Sequence, residues 1–232
     1  MGWRKMSLFW TDLGQIVPNA LQTLYIAAWS IIVGILGGGV VSYIRIKKIP
    51  VLSLVVQIYL SFARSVPMIV VLYVCYYALP NLTAGLVAEQ GIRVPKSIIA
   101  VFALSLFSSA YFGESFRSAY FSVGKLQMEA ALASNLSKWS ALKRIILPQA
   151  AFFALPNVFN TVMDIIKGTA IIYNIGLLEI TGKSILVGSM TYQYIPAYFA
   201  AWVIYIAIYI IVNIGFKFII NKLNFKGEEV RL

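Results

Sequence analysis

The stretch "EAALASNLSKWSALKRIILPQ" runs from Glu129 to Gln149 and differs from everything around it. It carries a Glu, two Lys and an Arg, yet an apolar run long enough to cross a membrane lies just upstream. Its chemistry predicts two short helices rather than one. Lys125 to Ser134 is rich in helix formers, Leu126, Glu129, Ala130, Ala131 and Ala133 among them. Asn135 falls where a break would come, because Asn tolerates the left-handed conformation that ends helices. Ser137 is placed to cap the next turn, and Lys138 to Ile146 continues until Leu147-Pro148 stops it. The small Ala side chains permit close approach by a partner surface. A helix lying on lipid headgroups with its basic residues down is the alternative reading.

The surrounding composition decides the solvent. The chain of 232 residues is 60% hydrophobic and only 12% charged, against about 25% charged in ordinary soluble domains. Its length fits a single domain, 1–232. The net charge of +11 would suit nucleic acid in a soluble protein; in a chain this apolar it fits membrane topology and anionic headgroups. One cysteine, Cys75, and no histidine exclude an internal disulfide and leave no metal site to expect. The first apolar run ends without a small-residue cleavage pattern, so no cleaved signal peptide is expected.

Crossing the bilayer takes about 20 apolar residues. Five segments qualify, near 17–44, 51–79, 97–122, 154–174 and 196–220. Pro50, Pro80-Asn81, Pro148 and Ile195-Pro196 mark the connections. Arg4, Lys5, Arg93, Lys96 and Lys183 fall on one side, five in all. Arg45, Lys47, Lys48, Lys125, Lys138, Lys143, Arg144, Lys217, Lys222, Lys226 and Arg231 fall on the other, eleven in all. The positive-inside rule then places the N-terminus outside and the C-terminus, with the opening stretch, in the cytoplasm.

The opening stretch resembles the EAA loop of permease subunits of ABC importers, whose pattern is E-A-A, three residues, G, nine residues, I, one residue, L-P. Glu129, Ala130, Ala131, Ile145, Leu147 and Pro148 match it at the family spacing, and Asn135 stands at the Gly position. The likeness extends along the chain and narrows to the polar amino acid uptake branch. "SFARSVPMIVVL" (61–72) is similar to its F-R-G-T-P-L stretch, retaining Arg64 and Pro67. "SSAYFGESFRSAYFSV" (108–123) is similar to its A-Y-x-x-E-x-x-R-G segment, retaining Tyr111, Glu114 and Arg117. "IIKGTAIIYNIGLLEI" (165–180) resembles its I-K-D-T-S-L segment, keeping Lys167 and Thr169, with Gly168 and Ala170 where Asp and Ser are usual.

The resemblance implies an all-α membrane protein of the type I ABC importer kind, with five spans and a cytoplasmic coupling helix, in loop 125–148, between the third and fourth. It implies a non-catalytic subunit that moves a polar amino acid (cystine, glutamine or a basic amino acid) into the cytoplasm. The implied partners are ABC ATPase subunits seated on the loop and a second permease in a homo- or heterodimer. An extracellular or periplasmic substrate-binding protein delivers the substrate, and the location is the bacterial inner membrane. ATP and Mg belong to the ATPase, with no cofactor on this chain.

Apart from Lys217, counted with the C-terminal end, five ionisable residues lie within the spans: Arg64, Glu114, Arg117, Asp164 and Lys167. Each costs at least about 2.5–3.5 kcal/mol at mid-bilayer, so each suggests function. Glu114 and Arg117, near the cytoplasmic end, have the i,i+3 spacing of a self-neutralising pair or a gate, and Asp164 and Lys167 share that spacing. An amino acid needs a cation for its carboxylate and an acceptor for its ammonium group. Arg64, Asp164 and Lys167 near the midplane are candidates for both, with Thr169 adding a hydroxyl and Pro67 kinking span two around a cavity.

"GLLEITGKS" (176–184) imitates a phosphate-binding loop, but Leu177 stands where that loop needs its first Gly, and no strand precedes it. Gly34 and Gly38 form a G-x-x-x-G that predicts close helix packing. Trp3, Trp10, Tyr194 and Tyr198 fit interfacial belts. The rival reading is a secondary transporter or channel using the intramembrane charges as an ion relay; the absence of an internal repeat argues against it. An intramembrane enzyme would need His, metal ligands or a Ser or Cys dyad, which the sequence does not offer.

Overall fold

A computed structural model of the chain describes residues 2–87 and 94–223, with side chains over 7–82 and 94–222. Arg93, Lys226 and Arg231 of the charge count lie outside the described residues, as do the side chains of Trp3, Arg4 and Lys5. Every described element is helical. α1 (Gly2–Ile16) leads through a 3-10 turn, Val17–Asn19, into α2 (Ala20–Lys47). α3 (Leu52–Ser65) and α4 (Met68–Val87) follow, then α5 (Lys96–Ser122), α6 (Lys125–Ala133) and α7 (Lys138–Ala141). A π-helical turn, Leu142–Ile146, opens into α8 (Leu147–Gly168), which continues as a 3-10 stretch, Thr169–Ile175. α9 (Ile180–Thr191) and α10 (Tyr194–Leu223) complete the chain.

Among the described residues, four helical runs are long and apolar enough to cross a membrane, and the α3–α4 pair makes a fifth if taken as one broken span. The span expected over 51–79 is bent at Pro67, as expected, and sharply enough to make two helices: α3 and α4 differ in direction by 113°. The cause is Pro67, which lacks an amide hydrogen and drives the residue before it out of the helical region. Val66 accordingly sits extended at φ −96°, ψ 128°, while the Pro67 carbonyl accepts from Val70 and starts α4.

Four other segments depart from expectation. Pro80-Asn81 is not a turn; α4 runs through it to Val87, with Asn81 Nδ2 donating to the Tyr77 carbonyl at 2.9 Å. Pro148 starts α8 rather than stopping a helix. A proline fits a first helical turn, and the wide π turn before it relieves the clash a proline ring makes with the carbonyl four residues back. The predicted loop around Lys183 is α9, and the N-terminal arm is α1, which packs with α10 and α9.

The centre of the bundle is the α2–α5 crossing. Ser108, fully buried, donates to the Ser30 carbonyl across it at 3.1 Å. A Cβ on Gly38 would lie 2.6 Å from the Phe112 Cβ and 2.9 Å from the Gly113 nitrogen. The G-x-x-x-G thus serves a crossing inside this chain, where small residues let two backbones approach. Phe112, Val162, Ile165, Ile180, Ala197 and Ala200 build one buried core across α5, α8, α9 and α10. A second, including Leu72, Ala103, Leu104 and Ile172, joins α4 and α5 to the 3-10 stretch.

Candidate functional site

Coupling loop. The opening stretch folds as two helices joined by a tight reversal. Asn135 is left-handed at φ 63°. Its amide donates to the Leu132 carbonyl at 3.0 Å and that of Leu136 to the Ala131 carbonyl at 3.1 Å. These are the paired bonds of the Schellman helix ending, in which the left-handed position usually falls to Gly. Ser137 then caps α7, its Oγ accepting the Ser140 amide at 3.2 Å.

The residues of the E-A-A pattern divide by role. Ala131 is buried, and Ile145 packs on a small cluster of Val123, Ile146 and Ala150, so these hold the loop onto α5 and α8. Gln149 Nε2 adds a bond to Gln127 Oε1 at 2.9 Å. Glu129 and Ala130 face outward, and Leu147 is exposed beside half-buried Pro148. Trp139, which sequence reasoning passed over, is 68% exposed on α7; an uncovered tryptophan on a short polar helix was the available signal. Asn135→Gly is expected to leave partner docking intact. Asn135→Val, β-branched at positive φ, should cost about 1–2 kcal/mol and weaken it, as read by ATPase co-purified at equal permease level.

Charges within the spans. Asp164 Oδ1 and Lys167 Nζ pair at 2.8 Å. They line a cavity of about 630 Å³ with Pro156, Phe159, Asn160, Met163 and Tyr209. α8 and its 3-10 continuation together run about 47 Å, with Asp164 about 26 Å from Leu147, near the middle. Both side chains are more than half exposed, 54% and 62%. Asn160, one turn before Asp164, brings an amide to the same face; its i−4 spacing was a readable signal, whereas nothing in the sequence points to Tyr209 on α10.

Arg64 is not with this pair. It lies 3.5 Å from Glu114 Oε2, which also takes Arg45 at 2.7 Å, while Arg117 lies 3.1 Å from Oε1. The expected Glu114–Arg117 pair is therefore part of a four-residue cluster that does not neutralise itself. Arg45, counted as a loop residue, lies within α2. Thr169 is fully buried and donates its hydroxyl to the Ile166 carbonyl at 2.8 Å, so it is turned away from the cavity. Pro67 stands at the α3–α4 break. Gly168, where the resemblance expects Asp, touches the start of α4: a Cβ there would sit 2.8 Å from Met68 Sδ.

The "GKS" segment opens α9. Glu179, fully buried, accepts the Gly182 amide at 2.6 Å, the Thr181 amide at 2.9 Å and the Tyr205 hydroxyl at 3.1 Å. Burial pushes its carboxyl above the usual carboxylate range, against the pull of those hydrogen bonds. Gly182 is required because the Tyr173 ring, 2.6 Å from where a Cβ would fall, occupies the space.

Residues 30–225 match the family described as "binding-protein-dependent transport system inner membrane component". The chain belongs to that family. This transport component is 33% identical over 203 residues to the probable amino-acid ABC transporter permease protein PatM of Vibrio harveyi, covering 86% of this chain and 89% of that one. It is 31% identical over 224 residues to the L-cystine transport system permease protein TcyL of Bacillus subtilis, covering 95% and 92%. Its backbone is similar to the crystal structure of an amino acid ABC transporter with histidines, with a TM-score of 0.77 and 25% identity over 92% of this chain and 95% of that one. The family's chains are the non-catalytic membrane components, and ATP hydrolysis resides on a separate subunit. The transport component is thus a multi-pass membrane protein that works with ATPase and substrate-binding partners.

Proposed function

We propose that this chain carries a polar amino acid across the bacterial inner membrane into the cytoplasm, as one of two permease subunits forming the pathway. The relatives' names supply the substrate class, and cystine, glutamine and basic amino acids all fit it. In this reading the N-terminus is outside, and loop 125–148 and the C-terminus are cytoplasmic. An ATPase carrying ATP and Mg docks on the loop, and an extracellular or periplasmic binding protein delivers the substrate. Glu129 and Ala130 meet the ATPase, while Asn135 and the Ile145–Pro148 segment fix the angle at which they do.

The observation that carries the pathway is the Asp164–Lys167 pair, more than half exposed midway along its span. A bare ion pair facing acyl chains is costly, and such groups face a bundle interior or water. Asp164 offers an acceptor to the substrate's ammonium group and Lys167 a donor to its carboxylate, with the Asn160 amide beside them. Pro67 and Thr169 shape the pathway, and neither they nor Arg64 enter this cavity's lining. By mechanism, ATP-driven closure of the ATPase pair moves the two loops, which tilt the spans between outward and inward access.

Co-expression with an ABC ATPase subunit from the same organism tests the reading. The wild-type chain is expected to pull the ATPase down and to support ATP-dependent uptake in proteoliposomes. Glu129→Lys should reduce the recovered ATPase about tenfold or more, the loss of one charge-assisted contact with added repulsion. Uptake by the isolated chain without ATP would overturn it in favour of a secondary transporter.

A further inference from the structure

The cluster around Glu114 holds more positive charge than its single carboxylate offsets. Arg45 comes from the last turn of α2, Arg64 from the last turn of α3, and Arg117 from one turn further along α5. Three guanidiniums against one carboxylate leave a formal surplus of two positive charges. None is sealed off: side-chain exposure is 22% at Arg45, 32% at Arg117 and 47% at Arg64. Lys47 and Lys48 follow directly on α2 and add to the field.

The surroundings are apolar on two sides. Arg117 lies over the Phe121 ring, 5.2 Å from its centre. Below Arg64, the face of α3 turned away from the bundle exposes Leu54, Val55, Ile58 and Phe62. The cluster also sits at the end of the bundle that bears the coupling loop, because Ile46, next to Arg45, shares a small cavity with Lys125, Met128 and Glu129.

A surplus-cationic cluster at the edge of an uncovered apolar helix face is complementary to an amphiphile with an anionic head. Guanidinium forks match the oxygen geometry of phosphate, and headgroup-level basic residues attract anionic lipid. A soluble anion would engage the charges but leave the α3 face bare. We propose that Arg45, Arg64 and Arg117 hold the phosphate of an anionic phospholipid whose acyl chains lie along Leu54, Ile58 and Phe62. The bound headgroup would balance the surplus that Glu114 leaves. The inference goes beyond transport and rests on the proposed reading only in placing this end of the bundle at a headgroup surface.

Native mass spectrometry of the full-length chain, purified with the subunits it assembles with, tests this directly. Phosphatidylglycerol or phosphatidylcholine is added in equal amount, and the lipid-retaining fraction is read. Phosphatidylglycerol is expected to be retained in preference. Arg64→Gln should lower its retention about fivefold, the factor that one basic residue at a surface contributes. Glu114→Gln, which frees the guanidiniums, should raise retention, an opposite sign that misfolding does not produce. Lys183→Gln, on α9 at the other end of the bundle, should leave it unchanged. Equal retention of the two lipids, or no effect of Arg64→Gln, would overturn the proposal. Displacement of phosphatidylglycerol by cystine, glutamine or arginine would also overturn it and reassign the cluster to the substrate's carboxylate. A normal lipid result with absent ATP-dependent uptake would count against the transport reading alone.

Discussion

Asp164→Asn is expected to lower substrate uptake by about a hundredfold or more while the assembled transporter is recovered from the membrane in normal amount. The substitution keeps size and shape but strips the anion from Lys167, 2.8 Å away. Losing that charge-assisted hydrogen bond within the pathway costs about 1.5–3 kcal/mol, up to roughly two orders of magnitude in an equilibrium. The cavity also loses its acceptor for the substrate's ammonium group. A paired exchange, Asp164→Lys with Lys167→Asp, separates the two effects. It restores local neutrality and reverses the order in which the two ends of a zwitterion are met. If the pair reads the substrate, the exchange stays inactive; recovery to near wild-type uptake would show that the residues only neutralise one another. Uptake assays in proteoliposomes, with pull-down of the partner subunits as the control for assembly, report both outcomes.

Gly38→Val should do its damage earlier, to the fold itself. The new Cβ would fall 2.6 Å from the Phe112 Cβ and 2.9 Å from the Gly113 nitrogen. The second of these is backbone and cannot rotate away. Overpacking of this kind costs about 1–3 kcal/mol even where side chains can adjust, so the upper end or beyond is expected here. Thermal unfolding in detergent, followed by size-exclusion elution, should show a large fall in midpoint and loss of the monodisperse peak. Gly39→Ala is the matched control, because nothing lies within 4 Å of a Cβ at Gly39. Equal stability of the two variants would mean that the α2–α5 crossing is looser than described.

What the sequence made legible follows the strength of the local signal. Asn135 and Ser137 determine their own surroundings through backbone and capping preferences, so the two-helix loop and the left-handed Asn135 could be read directly. The spans could be read because lipid imposes one length on all of them. Proline was harder, because its effect depends on whether neighbouring geometry can absorb it. Pro67 breaks a span outright, whereas Pro80 is carried inside α4 and Pro148 opens α8. The intramembrane charges were found by type, but their partners were not. Arg64 reaches Glu114 only because α3 turns back at Pro67 and brings its last turn against α5. Arg45 was hidden by the assumption that basic residues near a span end belong to a loop. Tyr209 joins Asp164 through tertiary packing of α10 on α8, and no sequence spacing records that.

The 3-10 stretch after Lys167 has a mechanical consequence. It is seven residues long, where such runs rarely exceed three or four. Its outer end is anchored, since Glu179 and Tyr205 hold the start of α9, and Gly176 at φ 80° provides a swivel between them. Winding those residues as an ordinary α-helix would shorten the segment by about 3.5 Å and turn its inner end by about 140°. The Asp164–Lys167 pair would be carried with that inner end, while α9 stayed in place. Side chains that face one end of the pathway could thus be re-aimed without bending the helix: the slack for a stroke is stored in the pitch of the backbone.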